Sequence, residues 1–215
     1  LLAAVTLYFT VAHSIAEMIP KVQQSMDDYT DKVGRPTDFV TNEVPHWDSV
    51  LYLISISFLV PFMEEIAFRG IILKELMRKF SPWVAIVISG VIFGALHMQP
   101  VQVGYAILCG ILLGAVYYLC DSLWATIVIH SIFNLFGSGV LQFMDSGVIP
   151  MTEELKNTID GNLTVFEFIM LLPAVFGFVF LSIIHKNKKI ENAQIAMATA
   201  AQISNTDSSE GIIHE

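Results

Sequence analysis

Six stretches of the chain are apolar for the length, or nearly the length, of a membrane-spanning helix, about 20 residues. They are Leu1–Ile19, Asp48–Phe80, Pro82–Met98, Val101–Cys120, Leu123–Met144 and Thr164–His185. The second is longer than a bilayer requires. Its apolar part runs from Val50 to Leu76, and Pro61 within it predicts a kink. Only Ser81, Gln99–Pro100 and Asp121–Ser122 separate the middle segments. Links that short force neighbouring helices to run antiparallel and to pack closely. Gly90/Gly94 and Gly110/Gly114 place Gly-x-x-x-Gly on two of these helices. Missing Cβ atoms there let helix backbones approach in lipid. The pattern predicts an all-α fold, a polytopic membrane helix bundle of about six spanning helices. The bundle is expected over residues 1–189. Residues 190–215, polar and rich in Ala, Ser, Asn and Gln, predict a flexible cytoplasmic tail.

Composition supports lipid as part of the solvent. The 215 residues are 54% hydrophobic and 14% charged, against about 25% charged in soluble domains. That leaves too little polar surface to cover a soluble globule. The first stretch lacks a basic leader and a small-residue cleavage signature, so it reads as part of a spanning helix rather than a signal peptide. The chain opens Leu-Leu, and a preceding N-terminal piece is expected. Cys109 and Cys120 lie eleven residues apart in one segment, about 16 Å along a helix. They are too distant for a bridge and read as ordinary buried thiols.

Charge orders the topology. The net charge of −9 argues against nucleic acid as a partner. Lys74, Arg78 and Lys79 cluster at one helix end, and Lys186, Lys188 and Lys189 follow the last segment. Placing the first cluster in the cytoplasm puts the second there by alternation. The acidic loops Pro20–Trp47 and Asp145–Leu163 then face outward.

Ionisable groups inside a membrane helix cost about 2.5–3.5 kcal/mol each on insertion scales. They concentrate here in Glu64-Glu65-Ile-Ala-Phe-Arg69, Phe93-Gly-Ala-Leu-His97 and His130-Ser-Ile-Phe-Asn134. At helical pitch Glu65 and Arg69 share a face, as do His130 and Asn134. Taken singly, each has a plain structural reading. Glu65–Arg69 reads as an ion pair, His97 as a satisfied core histidine, and His130–Asn134 as interhelical hydrogen bonding. Taken together they do not. Glu64 points about 100° from Glu65 at helical pitch and has no basic residue at i±3 or i±4. Short links hold the histidines and the asparagine nearby.

His-Glu-x-x-His is absent, and no Ser/His/Asp set is recognisable. The toolkit is carboxylate, imidazole and amide. That set can activate water and stabilise an oxyanion, which suffices for amide hydrolysis.

Glu-Glu-x-x-x-Arg, Phe-x-x-x-His and His-x-x-x-Asn, in that order on successive membrane helices, resemble the CAAX protease and bacteriocin-processing family. It is also called the ABI family and includes the type II CAAX prenyl endopeptidases. The match covers residues 64–134, within a catalytic core expected over 48–144. The resemblance implies an intramembrane endopeptidase with Glu64 as the base that activates water, assisted by His97. His130 and Asn134 would form the oxyanion hole, with Glu65 and Arg69 in support. The substrate would be a peptide or membrane protein in the lipid bilayer, and the setting a bacterial cytoplasmic membrane. The implied roles are pheromone or bacteriocin processing, or bacteriocin immunity. No cofactor is favoured. Zinc is the alternative, held by Glu64, His97 and His130 with a fourth position open for water. A non-catalytic immunity or scaffold protein is the main rival reading. A proton-coupled carrier is a third, weakened by the absence of an internal repeat.

Overall fold

The structure, a computed structural model, describes residues 1–33, 46–145 and 148–210. Every regular element among them is helical. Helix α1 is Leu2–Ala16 and α2 is Pro20–Val33. Helix α3 is continuous from His46 to Met77, but two π-helical stretches, Ser55–Leu59 and Ile66–Leu73, interrupt its α-helical hydrogen bonding. Helix α4 is Pro82–Ala95 and α5 is Pro100–Cys120. Helix α6 starts as Leu123–Asn134 and continues through a π-helical turn, Leu135–Gly139, into Val140–Asp145. Helix α7 is Glu153–Glu210. The chain divides into two compact units, Leu1–Pro173 and Ala174–Glu215.

All six apolar segments are largely helical, and the described residues form the all-helical architecture that a membrane helix bundle requires. Three helical stretches have the length and composition to cross a bilayer: Val50–Met77, Pro100–Cys120 and Glu153–Gln202. Leu2–Ala16, Pro82–Ala95 and Leu123–Gly137 are apolar but shorter than expected from sequence. For α4 the reason is local. Pro82 sets its first turn, and the chain leaves the helix after Ala95, so the stretch up to Met98 does not extend it.

Two other expectations change. The first part of the acidic loop from Pro20 contains α2. Its Val22, Met26 and Tyr29 pack with Tyr8, Phe9, Ala12 and Ala16 of α1 and Val101 of α5. That i, i+4, i+7 spacing is a readable amphipathic signal. The remainder of that loop, 34–45, lies outside the described residues. The polar tail, expected to be flexible, carries α7 onward as helix through Glu210.

The glycine pairs govern how α4 meets α5. A Cβ built on Gly90 would lie 2.9 Å from the backbone nitrogen of Ile111, and one on Gly94 would lie 2.7 Å from that of Ile107. On the facing helix, a Cβ at Gly110 would lie 2.8 Å from the Cα of Gly90. The backbones are therefore in direct contact, as small-residue packing in lipid requires. Leu73, Ala85, Ile86 and Tyr117 form the buried cluster beside this seam. Outward faces carry large apolar side chains such as Phe58, Met63, Ile71, Val128 and Ile132. In water these would form an unstable patch, whereas against lipid they need no cover. Cys109 and Cys120 are free thiols, as expected, but only Cys109 is buried and Cys120 is half-buried.

Candidate active site

The segment of α3 between its two π-helical stretches, Val60–Glu65, carries both motif carboxylates. Consecutive helical positions diverge by about 100°, and the two residues have different surroundings. Glu65 is fully buried, while the Glu64 side chain is 29% exposed. One is enclosed by protein and the other reaches open space.

Glu65 lies at the centre of a buried polar cluster. Arg69 Nη1 donates to Glu65 Oε1 at 2.8 Å, and the Arg69 side chain is itself buried. Arg69 Nη2 donates to the Gly110 carbonyl at 2.9 Å, which ties α3 to α5. Nδ1 of His130 lies 2.8 Å from the same Glu65 Oε1. Carboxylate oxygens accept, so the imidazole proton sits on Nδ1. The other ring nitrogen, Nε2, faces Glu64 Oε2 at 3.7 Å. His130 thus stands between the two carboxylates, hydrogen-bonded to one and directed at the other. Glu65 Oε2 and Arg69 Nε have no hydrogen-bond partner among the described residues.

His97 stands just beyond the end of α4. Its Nδ1 lies 2.9 Å from the Phe93 carbonyl, which can only accept, so Nε2 is left as the basic nitrogen. Glu64 interacts electrostatically with both His130 and His97. A tight turn follows His97. The amide of Gln99 donates to the His97 carbonyl at 2.8 Å, and Met98 between them has φ 63°. This is a γ-turn with positive φ, a strained form for an L-residue.

Asn134 lies one turn after His130. Its Nδ2 donates to the Ile56 carbonyl of α3 at 3.0 Å. The structure therefore brings Glu64, Glu65, Arg69 and His130 into one cluster, with His97 within electrostatic range of Glu64. It directs the Asn134 amide nitrogen to backbone.

Sequence reasoning gave Phe93 no role beyond its place in the motif. Its ring packs edge-on against Phe68 at 4.9 Å and His97 at 4.9 Å, and lies 6.0 Å from His130. The Arg69 guanidinium sits over it at 5.1 Å, an arrangement that favours a cation. Phe93 therefore spaces three of the polar side chains. Two partners, the carbonyls of Ile56 and Gly110, were invisible in sequence because backbone atoms carry no residue signature.

The alternative metal set was Glu64, His97 and His130. Among the described residues, no three His, Cys, Asp or Glu side chains form a group that could hold a metal ion. His130 uses Nδ1 on Glu65, and His97 uses Nδ1 on its own helix, which leaves Nε2 of each ring for other chemistry. Zinc takes three or four ligands at about 2.0–2.3 Å.

Residues 46–136 match the family model of type II CAAX prenyl endopeptidase Rce1-like proteins. That stretch is less than half of the chain, yet it contains all three polar motifs. No curated protein and no solved structure matches the chain. Through α3 to α6, where the carboxylates, histidines and asparagine reside, the chain is similar to the Rce1-like type II CAAX prenyl endopeptidases.

Proposed function

We propose that this protein is an intramembrane endopeptidase that cleaves a membrane-associated peptide or protein with a water activated by Glu64. The observation that carries this reading is the pairing of a partly exposed carboxylate with a histidine anchored from behind. Glu64 Oε2 and His130 Nε2 face each other at 3.7 Å, and His130 is held by the buried Glu65.

In this mechanism Glu64 takes a proton from water, and His97, with Nε2 as its basic nitrogen, assists. The hydroxide attacks the amide carbonyl. His130 presents a protonated Nε2 to the developing oxyanion, while Glu65 on Nδ1 fixes the ring and balances its charge. Arg69 offsets the charge of Glu65 and anchors it to α5 through Gly110. Glu64 then returns its proton to the leaving amine. Every step uses side chains alone.

The substrate reading follows from the location. A peptide in a bilayer must unwind locally before water can reach its amide. The likeness of residues 46–136 to that family supports a prenylated CAAX protein as one substrate class to test. Resemblance to compact bacterial members favours a bacterial cytoplasmic membrane and a peptide pheromone or bacteriocin, with processing or immunity as the outcome.

Glu64→Gln keeps the side chain's size and removes the base. The purified full chain in detergent should cleave an internally quenched peptide, presented either farnesylated at a CAAX cysteine or unmodified. The variant should lose activity by at least about a hundredfold, the usual weight of a general base. A well-folded Glu64→Gln protein with full activity would overturn the reading. In that case the buried polar groups would belong to a non-catalytic immunity or scaffold protein.

A further inference from the structure

Pro61 removes a hydrogen-bond donor at a point where α3 has no spare one. In the π-helical stretch Ser55–Leu59 hydrogen bonds run five residues back, and Val60 N–H reaches the Ser55 carbonyl. The next amide in that register belongs to residue 61, and its acceptor would be the Ile56 carbonyl. Proline has no N–H. Val60, the donor one position earlier, is engaged on Ser55. The Ile56 carbonyl is thus orphaned by its own helix in a segment that crosses lipid, where water cannot satisfy it.

Asn134 supplies the missing donor from α6, at 3.0 Å. The two helices are also very close there. A Cβ built on Gly139 would lie 2.7 Å from Ser57 Oγ and 2.9 Å from Leu53 Cδ1. Ser57 is fully buried. Four residues before Asn134, His130 engages Glu65 and faces Glu64 on the same helix α3. Two polar clamps therefore join α3 to α6. One is at the carbonyl that Pro61 leaves open, and the other is at the carboxylates.

We propose that Asn134 is a positioning residue whose side-chain amide stands in for the backbone N–H lost at Pro61, so that it sets the distance between Glu64 on α3 and His130 on α6. The family resemblance would aim this amide at the substrate oxyanion. In this chain the amide nitrogen is bound to α3. The proposal rests on the peptidase reading in taking Glu64 and His130 as the pair being positioned.

The test is a double-mutant cycle with Pro61→Ala, which gives residue 61 an amide that can reach the Ile56 carbonyl. Asn134→Ala in the parent background should lower kcat/KM about fivefold or more, the equivalent of one net hydrogen bond. Most of the loss should be in kcat rather than KM. In the Pro61→Ala background the same change should cost within about twofold, because the carbonyl is already satisfied. An Asn134→Ala loss equally large in both backgrounds would overturn the proposal and return Asn134 to direct oxyanion contact. If Pro61→Ala fails to fold, the pH profile of Asn134→Ala decides. A displaced Glu64–His130 pair moves the limbs of the kcat/KM profile, whereas loss of an oxyanion donor lowers the plateau and leaves the limbs in place, which would overturn the proposal. The same cycle read in melting temperature checks the Ile56 hydrogen bond without reference to activity. Its outcome is therefore separate from that of Glu64→Gln, on which the peptidase reading stands.

Discussion

His130 Nδ1 lies 2.8 Å from Glu65 Oε1, joining residues 65 positions apart in the chain. The same oxygen accepts from Arg69. One buried atom therefore orients a histidine on α6 and is itself held by an arginine that grips α5. Such a carboxylate is both support for the site and a joint between three helices.

Arg69→Ala should be among the most destabilising single changes in the protein. It leaves Glu65 buried without its arginine partner, and breaking a buried pair in this way typically costs about 3–5 kcal/mol; it also frees the Gly110 carbonyl. Arg69→Lys should recover only part of this, since one ammonium cannot span Glu65 and Gly110 as the guanidinium fork does. The paired Glu65→Gln, Arg69→Met variant should fold better than Arg69→Ala. Thermal unfolding in detergent, followed by loss of monodispersity, measures all three.

Glu65→Gln isolates orientation from chemistry. Size is retained, but His130 Nδ1 then meets an amide that carries no charge to balance an imidazolium. The expected result is a fall in kcat of about ten- to a hundredfold with little change in KM, in the range seen for groups behind a functional imidazole. Steady-state kinetics on the quenched peptide provide the measurement. A KM effect alone would place Glu65 in substrate binding.

The α4–α5 seam predicts sharp size limits. Gly90→Ala and Gly94→Ala push a methyl into the backbone of Ile111 or Ile107. Each should cost about 1–3 kcal/mol, the usual penalty of overpacking. Gly161→Ala is the control, because nothing lies within 4 Å of the added atom. It lies within a helix and should stabilise by up to about 1 kcal/mol through helix propensity. Melting temperatures of the three variants should separate in that order.

Met98 holds a left-handed conformation next to His97. Met98→Gly should remove about 1–2 kcal/mol of strain and raise the melting temperature. Met98→Val should do the reverse, because a β-branched residue suits positive φ poorly. If the strained turn also holds His97 in place, the stabilised glycine variant should lose activity. Paired melting and turnover assays would reveal the opposed effects.

Metal dependence tests the proposed side-chain mechanism. Chelation with a membrane-permeant chelator should leave turnover unchanged, because the proposed mechanism uses side chains alone. Elemental analysis of the active protein checks this directly. Stoichiometric zinc whose removal stops turnover would replace the side-chain mechanism.

Much of this protein was legible from its residue order. Apolar runs between very short links require helices, because a backbone in lipid must satisfy its own hydrogen bonds. All six runs are largely helical. The costly polar residues were visible for the same reason: Glu64, Glu65, Arg69, His97, His130 and Asn134 interrupt runs that lipid would keep apolar. The i, i+4 spacing made Glu65–Arg69 readable as a pair, and Gly-x-x-x-Gly marked the α4–α5 contact. Helix α2 could have been read from Val22, Met26 and Tyr29 but lay within a stretch that charge alone made look like a loop. Tertiary structure decided the rest. Which carboxylate is enclosed and which is open, the direction of His130 towards both, and the acceptor of the Asn134 amide depend on how α3, α5 and α6 cross. Sequence periodicity defines the face of a helix but not its neighbour, and it says nothing of backbone carbonyls such as Gly110 and Ile56. Those two acceptors take their donors from other parts of the fold, and only three-dimensional packing could assign Arg69 to one and Asn134 to the other.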